Sequence, residues 1–92
     1  MSGASTEERV RLCLRRCSPQ ASEESLASGA PLFESRVLDS LTTVELVVLL
    51  EREFAIRVRA ADLSRERFGT VASIAAFVDE RRRDGDGGAP KG

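Results

Sequence analysis

Between Val37 and Phe54 the chain reads V-L-D-S-L-T-T-V-E-L-V-V-L-L-E-R-E-F, its longest helical pattern free of glycine and proline. The pattern predicts one helix opening at Asp39 or Ser40. Leu46, Val47, Leu50 and Phe54 fall at the helical repeat and form a stripe suited to a core. Leu41, Val44 and Val48, at i, i+3 and i+7, form a second apolar line on another side, edged by Ser40, Glu45, Glu51 and Arg52. A helix in so small a protein does not readily bury two opposite faces, so the second stripe is expected to await a partner, with Ser40 at its top.

The flanking segments carry weaker versions of the same signal. Ser5 and Glu8 have capping-box spacing and predict a first helix from about Thr6, with Val10, Cys13, Leu14 and Cys17 facing inward and Glu7 and Arg11 paired at i, i+4. Ser18-Pro19 ends it. Ser18 to Leu38 lacks a sustained period and predicts a long loop, with a short helical turn within Ser22 to Ala27 and with Leu32 and Phe33 anchoring it on the core. Ile56 and Val58 alternate as a strand would, but no second strand offers to pair with them, so they predict an extended connector capping the core. A short third helix or turn is expected from Ala60 to about Arg67, burying Leu63 and Phe68. Gly69 breaks the chain and Thr70 caps a last helix whose apolar face is Val71, Ile74, Phe77 and Val78. Arg81, Arg82 and Arg83 fall in its last turn, where cations favour the helix dipole.

The expected fold is all-α, a small four-helix bundle with three main helices, one short one and a long first loop. The domain spans 5–83, followed by a flexible tail over 84–92, and the opening Met1 to Ala4 reads as disordered. The core is predicted as Val10, Cys13, Leu14, Leu46, Val47, Leu50, Phe54, Leu63, Ile74, Phe77 and Val78.

Composition narrows the functional classes. A hydrophobic content of 41% with only 4% aromatic residues suits one small domain with an aliphatic core. No run approaches the ~20 apolar residues of a membrane span, and the N-terminus carries no apolar block, so a cytoplasmic protein is expected. Fourteen basic against fifteen acidic residues argue against nucleic acid as a partner. Without His, Trp or Tyr the chain lacks the usual general base and the usual base-stacking side chains. Cys13 and Cys17 are too few for a metal site and, one turn apart, poorly placed for an unstrained disulfide; they read as reduced, small core residues.

The D-S-L at Asp39 to Leu41, followed by a helix containing V-E-L-V and ending in E-F, resembles the acyl carrier proteins. The R-F-G-T-V-A-S-I-A-A-F-V run from Arg67 is similar to the F-x-T-V ending of free-standing carriers, so the resemblance covers roughly Ser5 to Arg82. It implies a bundle of the acyl-carrier type and an attachment site for 4′-phosphopantetheine at Ser40, with Asp39 as its motif neighbour. It also implies a partner face of Leu41, Val44, Glu45 and Val48. A serine in a first helical turn, beside unpaired N–H groups and the positive dipole end, suits a phosphodiester. The implied partners are a phosphopantetheinyl transferase using coenzyme A, an acyl- or aminoacyl-activating ligase and downstream acyl-using enzymes. The chain itself would be monomeric and no enzyme. Before the motif, F-E-S-R-V-L-D-S-L departs from the L-G-x-D-S-L of fatty-acid carriers and looks more like the D-alanyl carrier proteins, which points to a small aminoacyl or hydroxyacyl cargo held as a thioester. Bulky Leu46, Leu49, Leu50 and Phe54 point the same way. Thr42 stands where an acid is common and Arg52 sits among Glu45, Glu51 and Glu53, so steering by charge should be modest and apolar contact should dominate docking. The alternative is a cofactor-free helical module that docks a partner helix on the same stripe.

Overall fold

Each helix starts where a small polar side chain takes up a backbone N–H that the helix itself cannot pair. The structure, a computed structural model, describes residues 5–83; the opening four residues and the tail expected over 84–92 lie outside the described residues. Ser5 Oγ accepts from the Glu8 N–H at the start of α1 (Thr6–Cys17), and Asp39 Oδ1 accepts from the Thr42 N–H at 2.8 Å at the start of α2 (Ser40–Phe54). Ser64 and Thr70 do the same for α3 (Arg65–Phe68) and α4 (Val71–Arg83). Such caps contribute about 1 kcal/mol each. Two 3₁₀ turns, Glu24–Leu26 and Ala60–Asp62, complete an all-α, four-helix bundle with no strand among the described residues. No helix there is long and apolar enough to cross a membrane.

The periodic stripes meet in the interior. Val10, Cys13 and Leu14 of α1 join Leu46, Leu50 and Phe54 of α2 and Val71, Ile74, Phe77 and Val78 of α4. The long first loop contributes as much as a helix would, through buried Leu26, Leu32, Val37 and Leu38. It is tied down by polar contacts that reach across the chain: Arg11 Nε donates to the Leu26 carbonyl at 2.7 Å, and the Leu32 N–H donates to the Gly69 carbonyl at 2.8 Å. Arg36, in the left-handed region at φ 68°, turns the loop just before Val37 and Leu38. Ala55 ends α2 in the same region at φ 56°, a conformation that costs a non-glycine residue roughly 1–2 kcal/mol.

Three expectations need correction. Leu63, placed in the core on pattern, is 42% exposed. The segment expected as one short helix or turn divides into the Ala60–Asp62 turn and α3, and the inward position at the division belongs to Asp62. Val47 and Cys17 are half-buried at the core edge, although Cys13 is buried and both thiols are free.

Asp62 is the reason for the first correction. Its carboxylate accepts from the Arg59 N–H at 2.9 Å and pairs with Arg81 of α4 at 2.8 Å, while the Arg81 guanidinium lies over the Phe77 ring. Burial alone would raise the Asp62 carboxyl, but the Arg59 N–H and the Arg81 charge outweigh it and hold it below its ordinary 3.8. A depressed folded-state value means that the pair stabilises above the ordinary carboxylate range and that this contribution is lost as pH falls through the folded value. Asp62→Asn is therefore expected to lower the unfolding free energy by about 1–3 kcal/mol at neutral pH. Urea unfolding should show that gap narrowing towards about pH 3, and an equal gap at both pH values would contradict the pairing.

Candidate functional site

The rotation of α2 about its axis is set by Leu46, Leu50 and Phe54, and the residues that this rotation turns outward form the site. Leu41, Val44 and Val48 are 69%, 57% and 48% exposed, a contiguous apolar line on a helix otherwise anchored in the core. Ser40, the first helical residue, is exposed at its head, and Glu45 is exposed beside it. Asp39 is held below its ordinary 3.8 by the Thr42 N–H and hydroxyl, so it stays ionised while it caps the helix.

Beside Ser40 opens a groove of about 360 Å³ between α2, α3 and the long loop. Thr43, Val44, Leu63 and Phe68 line it, and Phe33 closes its loop side with the Arg65 guanidinium 5.0 Å over the ring. The Arg65 to Glu34 ion pair, at 3.8 Å between exposed groups, adds little. The Thr43 hydroxyl is buried and has no hydrogen-bond partner among the described residues. No acid lines the groove, so its walls supply no base to activate the serine hydroxyl. Leu63 and Thr43 were not legible as site residues. Leu63 reads as core by pattern, and Thr43 becomes relevant only once three separate segments enclose the groove.

On the other side of the stripe, a shallower groove of about 470 Å³ runs between α1 and α2, lined by Arg16, Cys17, Val44, Glu45, Val48 and Leu49. Burial, Glu45 and Cys13 push the Cys17 thiol up to about 11, and burial raises Cys13 as well. Both are thus neutral thiols at physiological pH, unsuited to nucleophilic chemistry. The acids of α2 are also less available than their number suggests. Glu51 accepts from the Val58 N–H, and Glu53 pairs with Arg9 at 3.0 Å.

Ser40 is thus an exposed hydroxyl at the head of an amphipathic helix, with a groove beside it. The family described as phosphopantetheine attachment site matches residues 19–78, which contain this arrangement. The chain belongs to that family. It is a carrier protein, and the family carries 4′-phosphopantetheine covalently. The carrier is also similar to the D-alanyl carrier proteins of Streptococcus pyogenes serotypes M5, M49 and M1, at 47% identity over 49 residues, 53% of this chain and 62% of each relative. The matched region thus spans under two thirds of those relatives. The groove residues fit such a group: Ser40 is exposed, the groove is open beside it, and the buried hydroxyl of Thr43, which lines the groove, lacks a hydrogen-bond partner among the described residues.

Because Leu63 lines the groove and does not fill the core, Leu63→Ala should cost under about 1 kcal/mol of stability, against about 2–5 kcal/mol for Leu46→Ala. Denaturant unfolding of the two variants checks this, and equal losses would return Leu63 to the core.

Proposed function

We propose that this chain is a non-catalytic carrier in which the Ser40 hydroxyl is the attachment point for 4′-phosphopantetheine and which presents a small acyl or aminoacyl group to partner enzymes. The observation that carries the reading is the exposure of Ser40 as the first residue of a capped helix, at the mouth of a groove, within the matched region. When bound, the arm supplies a terminal thiol on which the cargo is held as a thioester. The chain's own residues supply the setting. The first-turn N–H groups and dipole of α2 favour a phosphodiester at Ser40. Asp39 keeps the helix start in place, and the Thr43 hydroxyl can hydrogen-bond an amide of the arm. A separate phosphopantetheinyl transferase brings coenzyme A and the base that the groove lacks.

Two observations support a small cargo. Leu46 and Leu50 are fully buried and Phe54 nearly so, leaving α2 to offer a filled interior that a long chain would have to displace. The similarity to D-alanyl carrier proteins also favours an aminoacyl or short hydroxyacyl group delivered by a dedicated activating ligase and passed to downstream acyl-using enzymes. The two free, neutral thiols accord with a reducing, cytoplasmic setting. Docking would use Leu41, Val44 and Val48, with Glu45 at the rim; burying these side chains is worth several kcal/mol before association costs, against roughly 0–1 kcal/mol for an exposed ion pair.

Incubation with a broad-specificity transferase and coenzyme A, read by intact mass, should add a single arm to the wild-type chain and none to Ser40→Ala, with circular dichroism unchanged. Addition at another serine would sink the assignment, and no addition to the wild type would leave a cofactor-free helical module. Val48→Asp should slow loading by an activating ligase far more than Glu45→Gln does. A near-silent Val48→Asp together with a steep salt dependence of the loading rate would mean that charge, and not the apolar stripe, selects the partner.

A further inference from the structure

The seam between α1 and α2 carries a charge opposite to the one its acidic helix suggests. The two helices run antiparallel there, with Cys17 near Val44 at one end and Arg9 bonded to Glu53 at the other. The 470 Å³ groove continues into a second of about 190 Å³ that reaches Leu12 and Arg52, and the two share Arg16 and Leu49. Together they make one trough along α2 from Val44 to Glu53, about 14 Å long at the helical rise. Its apolar surface is Val44, Val48 and Leu49, extended onto α1 by Leu12, which is 60% exposed. With Glu53 held by Arg9 and Glu51 by the Val58 N–H, the charges left along the trough are Glu45 and two arginines, Arg16 and Arg52, that form no ion pair among the described residues.

We propose that this trough docks an acid-flanked amphipathic helix of a partner enzyme. An apolar channel of this length between two helices accepts the ridge of a third through i, i+3, i+4 and i+7 anchors. Two arginines against a single glutamate on its walls favour carboxylates on either side of that ridge and oppose lysines and arginines there. A second copy of this chain is a poorer occupant, since pairing trough to trough brings two such arginines from each side against one such glutamate. Val44 lines both the trough and the Ser40 groove, so a helix seated in the trough lies next to the serine. Only the naming of the partner as an enzyme acting at Ser40 rests on the carrier reading; the preference of the trough for acidic helices does not.

The test uses a synthetic labelled helical peptide of about four turns with leucines at i, i+3, i+4 and i+7 and glutamates on its flanks, beside the same peptide with lysine flanks. Both are titrated by fluorescence anisotropy into the full chain at low salt, as wild type and as Ser40→Ala. The glutamate peptide should bind about tenfold more tightly than the lysine peptide. Arg16→Glu/Arg52→Glu should reverse the preference, Arg16→Gln/Arg52→Gln should abolish it, and Leu12→Ser should weaken both peptides. Equal binding, a lysine preference, indifference to the arginine variants, or self-association lost on Leu12→Ser would overturn the proposal. Intact mass after transferase treatment of the same wild-type sample separates the two readings. An unmodified serine with the peptide preference intact would fail the carrier reading and support the trough, whereas a modified serine with no preference would overturn the trough alone.

Discussion

The constraint on which everything else rests is the seating of one face of α2. Leu46, Leu50 and Phe54 are buried among residues of α1 and α4, and a helix with one buried face has no remaining freedom to rotate. At 3.6 residues per turn, that seating decides the direction of every other side chain on α2. It sends Ser40, Val44 and Val48 outward, and it delivers Glu53 to Arg9. The Asp39 cap settles the remaining variable, where the helix begins, and so puts the serine in the first turn, where backbone N–H groups are still free for an anion.

Local periodicity made much of this legible because the helices with long apolar stripes are those whose burial follows their own spacing. The two faces of α2, the Ser5 cap, the Glu7 to Arg11 pair and the Thr70 cap all follow from residues three to eight positions apart. The long loop was only partly legible. Leu26 is fully buried although polar residues surround it in sequence, and what brings it inside is Arg11, fifteen residues away, bonding its carbonyl. Leu63 fails for the same kind of reason. By hydropathy it outranks Asp62 for an inward position, yet the ion pair with Arg81, nineteen residues on, makes the polar residue the buried one. The groove beside Ser40 has walls from the loop, α2 and α3, and no single stretch of sequence records it.

The electrostatics of the site likewise depend on partners rather than on composition. Read as a row of letters, α2 has three glutamates and one arginine in the stretch after Thr43. In the fold, two of those glutamates are committed to this chain's own groups, so the outer surface they suggest is not the one a partner meets. The effective surface is an apolar line with a glutamate near its middle and arginines along the α1 side. On such a surface, burial of the apolar side chains is worth more than any exposed ion pair the remaining charges could make. Both thiols are held neutral, which makes the chain's own sulfurs poor nucleophiles.

The central claim is that stability and recognition reside on opposite faces of one helix and are separable. Urea unfolding of the triple variant Leu41→Ser/Val44→Ser/Val48→Ser, run beside Leu50→Ala, tests it most directly. The account predicts that the triple variant stays within about 1 kcal/mol of the wild type while Leu50→Ala loses about 2–5 kcal/mol. A triple variant destabilised as much as Leu50→Ala would mean that the outer stripe is part of the fold, and would contradict the account.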